Sequence, residues 1–138
     1  LNRLRPGALE GRTLKDALEK MIREYQTLSN LQVDLHYEWV DVDMDVMIED
    51  TIFRVIQESM TNAVRHGHAS HMDLHFFEDE EDYMIELQDN GVGFETLTYG
   101  YGLKQMMERI SILGGQLQFE SRDGFFTRVS LPKYKEGR

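Results

Sequence analysis

The feature that most constrains the fold is a long helical pattern, which runs from about residue 45 to residue 65. Its apolar and small side chains recur at the spacing of one helix face: Ile48, Ile52, Val55, Ile56, Ser59 and Ala63. Gly67 ends the pattern. Because an amphipathic helix is stable when its apolar face packs against a second layer, the rest of the chain has to supply that layer.

The remaining segments alternate between helix and strand patterns. We expect two further helices and five strands, with these bounds: helices at 14–28 and 103–113, and strands at 32–40, 71–77, 83–87, 116–120 and 127–131. Thr13 is placed to cap the first helix, and the acidic run at 78–82 forms a solvated hairpin turn. Helices with mostly hairpin-paired strands predict an α/β fold, a two-layer sandwich with helices on one face of a mixed sheet.

Composition limits the possible classes of function. The 138 residues are the size of one domain, and their net charge of −10 disfavours binding to nucleic acid or anionic lipid. The absence of cysteine excludes disulfides and suits a reducing compartment. No apolar stretch has the length of a membrane span, and no signal segment is present. The chain begins with Leu1, and Pro6 and Gly7 break a basic opening, so we expect a fragment that starts at the end of a linker.

Three polar residues form a stripe beside the apolar face of the long helix. At about 100° per residue, Glu58, Asn62 and Arg65 fall at the edge of the buried face, where a cleft can form. An asparagine carbonyl oxygen suits Mg²⁺, and a carboxylate one turn earlier can hold a metal-bound water or polarise an attacking group. Arg65 would supply positive charge for phosphate. A surface helix with salt bridges is the alternative for this stripe alone.

Asp89 directly follows an apolar strand and opens the segment Asp-Asn-Gly-Val-Gly-Phe. A carboxylate in this position can accept a hydrogen bond from an exocyclic amine such as that of adenine, whereas it repels the oxygen of guanine. Gly91 and Gly93 would let the backbone approach a ring or a phosphate. The segment can also be read as a tight turn, because Asn-Gly is a strong turn signal.

A second glycine segment, Gly100-Tyr101-Gly102, precedes a helix that we expect to begin at Leu103. The free amides and the dipole of a helix N-terminus attract phosphate, and Lys104 in the first turn would add charge. A flexible loop is the alternative. The sequence contains neither a Rossmann fingerprint nor a Gly-x-x-x-x-Gly-Lys-Ser/Thr phosphate loop. The order and spacing of the three segments, rather than any one of them, predict a site for a magnesium nucleotide.

Four histidines that are close together in the sequence offer a zinc alternative: His66, His68, His71 and His75. Two of them, His71 and His75, are expected on one face of the same strand. The set contains no cysteine and is divided between a helix end and a strand, so zinc is the weaker interpretation.

The combined motifs resemble the ATP-binding catalytic domain of bacterial sensor histidine kinases in the GHKL superfamily, and most of all its nitrate-sensor and DesK-like subgroup. The stretch 57–66 resembles the N box, 89–94 the first glycine box and 100–103 the second. Residues 102–115 are similar to the helix that follows the lid in this subgroup, and 121–132 resemble the closing strands. The resemblance implies the Bergerat ATP-binding fold, with residues 1–12 as the end of a linker from a missing dimerisation domain, 13–135 as the catalytic domain and 136–138 as a tail.

The resemblance also implies a role for each site residue. Asn62 would hold Mg²⁺, Glu58 would orient the reacting group or a metal-bound water, and Asp89 would bind adenine. The other implied nucleotide-binding residues are Arg65, His66, Gly91, Gly93, Gly100, Tyr101, Gly102, Leu103 and Thr127. ATP and Mg²⁺ are the implied cofactors. The γ-phosphate would pass to a histidine on a separate dimerising domain, and from there to an aspartate of a response regulator.

Three departures from the family pattern affect these expectations. The phosphoacceptor helix is missing, so the fragment would bind ATP without phosphorylating itself. Only residues 95–99 separate the glycine boxes, as in the DesK-like subgroup, where an acidic residue beside the acceptor histidine competes with Glu58 for the role of base. Phe126 stands where a glycine usually precedes the threonine, which predicts an altered adenine end of the pocket.

The assembly implied by the resemblance is a cytoplasmic catalytic domain of a homodimeric protein, with or without a membrane anchor. The fragment itself would be a monomer, with no nucleic acid partner and no direct membrane contact. Two other functions share the same motifs. One is a serine-directed kinase of the anti-sigma type, and the other is a degenerate domain that binds nucleotide, or nothing, and serves as an interaction module.

Overall fold

The computed structural model describes residues 9–94 and 101–133 of the chain. Within these ranges the elements are α1 (Leu14–Leu28), β1 (Gln32–Tyr37), α2 (Val46–Arg65), β2 (His71–Glu78), β3 (Asp82–Asp89), α3 (Tyr101–Ile112), β4 (Gln116–Ser121) and β5 (Phe125–Pro132). The strands form one sheet in the order β1-β2-β3-β5-β4, with β1 and β2 parallel and the other neighbours antiparallel. The predicted mixed sheet is confirmed.

Side chains that precede the first two helices determine where these helices begin. The hydroxyl of Thr13 accepts a hydrogen bond from the Asp16 amide at 3.1 Å, and the carboxylate of Asp45 accepts one from the Met47 amide at 2.7 Å. Each bond satisfies an amide that has no carbonyl partner within the helix. At the other end of α2, the amides of His66 and Gly67 both donate to the carbonyl of Asn62. This helix therefore ends where the glycine predicts.

One apolar core lies between the helices and one face of the sheet, which we call the inner face. Buried residues of α1, α2 and α3 pack in a single cluster with alternate residues of the strands, such as Leu74 and Phe76 of β2 and Leu87 of β3. The helices therefore cover one face of the sheet, as in the predicted two-layer sandwich. The opposite, outer face carries mostly polar residues in the intervening positions, together with Phe77, Met84 and Phe126.

Several boundaries differ from those expected from the sequence. β1 ends at Tyr37 rather than at residue 40, and Trp39 instead folds over the sheet, where its indole Nε1 donates to the carbonyl of Phe77 at 2.7 Å. α3 begins at Tyr101 rather than at Leu103, so Gly102 lies within the first helical turn. Leu9, inside the predicted linker, is only 3% exposed and belongs to the core. Across the described residues, no helix combines the length and the apolar character that a bilayer span needs.

Candidate functional site

A cavity of about 360 Å³ opens between the C-terminal half of α2, the end of β3 and the start of α3. Its volume falls within the range of pockets that hold small organic ligands. Glu58, Asn62 and His66 line one side, because residues four apart on a helix share a face. Ser59 lines it too, although its spacing placed it among the core positions in the sequence. The stripe predicted at the edge of the apolar face thus borders a cavity.

Asp89 occupies the end of β3 and faces the same cavity, with only 5% of its surface exposed. Its Oδ1 accepts hydrogen bonds from the amide of Gly91 at 2.8 Å and from the amide of Phe125 at 2.9 Å. These two bonds fix the orientation of the carboxylate. Among the described residues no hydrogen bond involves Oδ2, so this oxygen is available to a ligand. A buried, oriented acceptor of this kind selects ligands that present a donor.

The first glycine segment joins Asp89 to its surroundings. Gly91 packs against the backbone of Gly67. The amide of Val92 donates a hydrogen bond to the carbonyl of Gly67 at 3.0 Å. Gly93 lines the cavity, and the following amide, of Phe94, donates to the hydroxyl of Ser121 at 3.0 Å. The loop after β3 is therefore held on two sides, by the end of α2 and by β4.

The second glycine segment reaches the cavity from the opposite side. Gly102 and Leu103 line it from the first turn of α3, close to Glu58. A β-carbon on Gly102 would lie 2.8 Å from Oε2 of Glu58. Gly100 falls outside the described residues, so its predicted role stays a prediction. Because α3 begins two residues earlier than expected, Gly102 belongs to the helix rather than to a loop before it.

Four apolar residues that the sequence motifs do not predict as site residues form the rest of the wall: Met72, Leu87, Phe119 and Phe125. They lie on the inner-face positions of the strands, and the period-two alternation of those strands is the signal that could have identified them. Thr127, 2% exposed, also lines the cavity. It pairs with Leu87 and so stands diagonal to Asp89 on the same face. The cavity thus combines a flat apolar wall with a few directed polar groups.

Arg65 and Phe126 lie apart from this cavity. Arg65 is exposed at the end of α2 and is not among the lining residues, so its predicted contact with phosphate stays a prediction. Phe126 alternates with Thr127 along β5 and points to the outer face, where the guanidinium of Arg122 lies 3.7 Å from its ring centroid. Its ring therefore does not enter the cavity.

The oxygen donors of the cavity suit a hard cation. A carboxylate from Glu58 and a neutral carboxamide oxygen from Asn62 stand one helical turn apart on the same wall. Mg²⁺ takes few protein ligands of this type and keeps several waters. Of the four histidines considered for zinc, His66 lines the cavity, whereas His71 lies on the outer face of the sheet. The donor set at the cavity therefore fits Mg²⁺ better than zinc.

Known proteins resemble this chain over the segment that contains the cavity. Residues 47–135 match the family described as histidine kinase-, DNA gyrase B-, and HSP90-like ATPase. The signal transduction histidine-protein kinase/phosphatase UhpB of Salmonella typhimurium is 36% identical over 96% of this chain and 27% of its own length. Sensor histidine kinase LiaS of Bacillus subtilis is 31% identical over 93% of this chain and 36% of its own length. The chain thus spans about a quarter to just over a third of these relatives.

Solved structures show the same fold. Acinetobacter baumannii histidine kinase AdeS is similar with a TM-score of 0.72 and 20% identity, over 88% of this chain and 65% of that one. The Erythrobacter litoralis EL346 blue-light activated histidine kinase gives a TM-score of 0.74 and 19% identity, over 89% and 42%. At such low identities the likeness concerns architecture alone. It confirms the predicted fold class.

Proposed function

Because the chain belongs to the histidine kinase-, DNA gyrase B-, and HSP90-like ATPase family, we propose that it binds Mg-ATP and donates the γ-phosphate to a histidine on a separate dimerisation domain. The observation that carries this proposal is the convergence of Asp89 with Glu58 and Asn62 on one cavity. The relatives are sensor kinases that extend well beyond this segment, so the phosphoacceptor domain is expected in the part of the protein outside this chain.

The base of the nucleotide would lie at the Asp89 end of the cavity. Oδ2 of Asp89 accepts a hydrogen bond from the exocyclic amine of adenine, while Oδ1 stays bonded to the two backbone amides. Met72 and Leu87 supply an apolar surface for the ring. Thr127, diagonal to Asp89, supports this end of the site from the neighbouring strand.

The phosphates would lie between α2 and the start of α3. Asn62 would hold Mg²⁺ through its carboxamide oxygen, and Glu58 would orient a water of that ion or the attacking imidazole. The ion would neutralise phosphate charge, which a chain of net charge −10 otherwise repels. The amides of Gly102 and Leu103 in the first turn of α3 would face the phosphates, and His66 and Arg65 would add donors from the end of α2.

In the transfer step the bond between the γ-phosphorus and the bridging β-phosphate oxygen breaks, and a bond from phosphorus to an imidazole nitrogen forms. ADP leaves, and the imidazole loses its proton to a base. Catalysis of this kind comes mainly from positioning and charge neutralisation. We propose that the acceptor is the dimerisation domain of a homodimeric, cytoplasm-facing kinase, and that a response regulator then takes the phosphoryl group.

Calorimetric titration with Mg-ATP tests the site. We expect Asn62→Asp and Asp89→Asn to abolish measurable binding. The first substitution alters the ligand of the cation, and the second alters the hydrogen-bond acceptor for adenine. Asp41→Asn is a matched control, since Asp41 is exposed and its positive φ of 52° is tolerated by asparagine. Unchanged affinity in both site variants would refute the site assignment.

Radiolabelled ATP tests the reaction. The chain alone should remain unlabelled, whereas a supplied acceptor-helix domain should gain label that acid removes, as expected of a phosphohistidine. Acid-stable label on a serine of a partner would instead identify a serine-directed kinase. Binding of ATP without any transfer to the acceptor domain would identify an interaction module.

A further inference from the structure

The outer face of the sheet carries a second cluster of potential ligands, on the side of the sheet away from the proposed nucleotide site. β1 and β2 run parallel, and their register places Asp34 beside Asp73 and His36 beside His75. Gln32 is paired with His71, so all of these positions share one face. The intervening residues point into the core, and one of them, Met72, also lines the cavity. The cluster and the cavity therefore lie on opposite sides of the same strand.

Three of these side chains converge on one point. Nε2 of His71 lies 2.8 Å from Oδ2 of Asp34 and 3.9 Å from Oδ1 of Asp73. All three ligand atoms lie within 4.8 Å of one another. His36 approaches the same group, with its Nε2 3.8 Å from Oδ1 of Asp73. The cluster thus offers two carboxylates and one imidazole within the span of a single ion, with a second imidazole, of His36, beside Asp73.

These separations are close to those of a tetrahedral metal site. Zinc binds imidazole nitrogen and carboxylate oxygen at about 2.0–2.2 Å, which places neighbouring ligand atoms about 3.4 Å apart. The side chains of Asp34, His71 and Asp73 are part-exposed on the outer face of the sheet, so small rotations can bring them to that spacing. A mixed imidazole and carboxylate set favours zinc, nickel or copper over Mg²⁺, which prefers oxygen alone.

We propose that Asp34, His71 and Asp73 form a binding site for a divalent transition metal, with His36 as the fourth ligand. On binding, the metal would take the place of the hydrogen between Nε2 of His71 and Asp34; in a neutral ring that hydrogen moves to Nδ1, and a doubly protonated ring loses one proton to the buffer. The two strands that carry the ligands are parallel neighbours at the sheet edge, so the ion links β1 to β2. The strong negative charge of the chain favours cation capture at this face.

The test is a calorimetric titration of the tag-free chain with ZnCl₂, in excess Mg²⁺ and without nucleotide. We expect one saturable site. His71→Gln and Asp73→Asn should each weaken binding at least about tenfold, the loss that even an outer-shell change produces. His36→Gln should weaken it less, because His36 approaches Asp73 at 3.8 Å and lies outside the group of three ligand atoms. X-ray absorption of the zinc-loaded chain should show nitrogen and oxygen neighbours only.

His68→Asn is the matched control, because it removes an exposed histidine outside the cluster and keeps a residue that tolerates the positive φ of 53°. It should bind zinc as the parent chain does. Mg-ATP titration of each variant reports whether the fold is intact, since the cavity lies on the other face. Absence of saturable zinc binding, or affinity that is unchanged in both His71→Gln and Asp73→Asn, would overturn the proposal and would leave the nucleotide site untouched.

Discussion

The carboxylate of Glu58 on α2 lies 2.8 Å from the position that a β-carbon would take on Gly102 in α3. The two residues belong to separate motifs of the sequence, and this contact joins them on one wall of the cavity. A side chain on residue 102 would occupy the space that the carboxylate now fills. The glycine is therefore needed for the placement of Glu58, whether or not it also approaches a phosphate.

Gly102→Ala should separate activity from stability. Alanine favours a helix over glycine by up to about 1 kcal/mol, so the free energy of unfolding should stay unchanged or rise slightly. The carboxylate of Glu58, at the end of a flexible side chain, would move aside. We expect ATP affinity to change little and phosphotransfer to a supplied acceptor domain to fall by about tenfold to a hundredfold.

A double-variant cycle provides the control for this prediction. If Gly102→Ala acts through Glu58, the variant that combines it with Glu58→Gln should transfer no more slowly than Glu58→Gln alone. Full transfer activity in Gly102→Ala would show that the position of Glu58 is unimportant for the reaction.

Gly124→Ala should destabilise the fold. Gly124 has a φ of +134°, and a β-carbon there would collide with the backbone carbonyl of Asp89 and approach its Oδ1 at 2.9 Å. We expect a loss of about 2–4 kcal/mol in urea unfolding, from backbone strain and overpacking together. Gly11→Ala is the matched control, because its φ is +80° but nothing lies within 4 Å. Gly11→Ala should lower the free energy of unfolding by about 1 kcal/mol. Equal losses in the two variants would show that the collision at residue 124 does not destabilise the fold.

The phenol of Tyr37 should lose its proton only at unusually high pH. Burial, and secondarily the negative charge of Glu49, raise the pKa of Tyr37 from its ordinary value of 10.0 to about 12. The unfolded chain loses this proton at a lower pH than the folded chain does. The contribution of Tyr37 to the free energy of unfolding is therefore present below pH 10 and is lost as the pH rises towards 12. The titration curve of tyrosinate absorbance should contain a step near pH 12. Tyr37→Phe should remove this step, and Glu49→Gln should lower its midpoint pH slightly. Persistence of this step in Tyr37→Phe would assign it elsewhere.

Much of the fold could be predicted because local signals agreed with the tertiary packing. The first helix has the expected bounds, since Thr13 caps it and its apolar spacing runs unbroken to Leu28. The start of α3 was predicted wrongly, because Gly100 and Gly102 have low helix propensity and read as a loop. The contact between Gly102 and Glu58 is long-range, and no local pattern in the sequence reports it.

The candidate site was predictable in its polar residues and less so in its surroundings. Glu58, Asn62 and Asp89 were identified because their residue types and spacing suit the chemistry, and all three face the cavity. Phe125 was missed because its contribution to Asp89 is a backbone amide, which has no residue-type signature. Phe126 was associated with the adenine pocket by its neighbour in the sequence, but strand alternation turns its ring to the outer face.

Asp89 has a structural role as well as a ligand role, and two substitutions should separate them. Asparagine retains an oxygen that can accept from the amides of Gly91 and Phe125, whereas alanine leaves both amides without that acceptor. We expect Asp89→Asn to keep nearly the full free energy of unfolding and Asp89→Ala to lose about 1–3 kcal/mol. Both should lose ATP binding, since neither presents a carboxylate to adenine. Urea unfolding and calorimetry on the same preparations measure the two effects, and equal stability of the two variants would show that the bonds to Oδ1 contribute nothing to the fold.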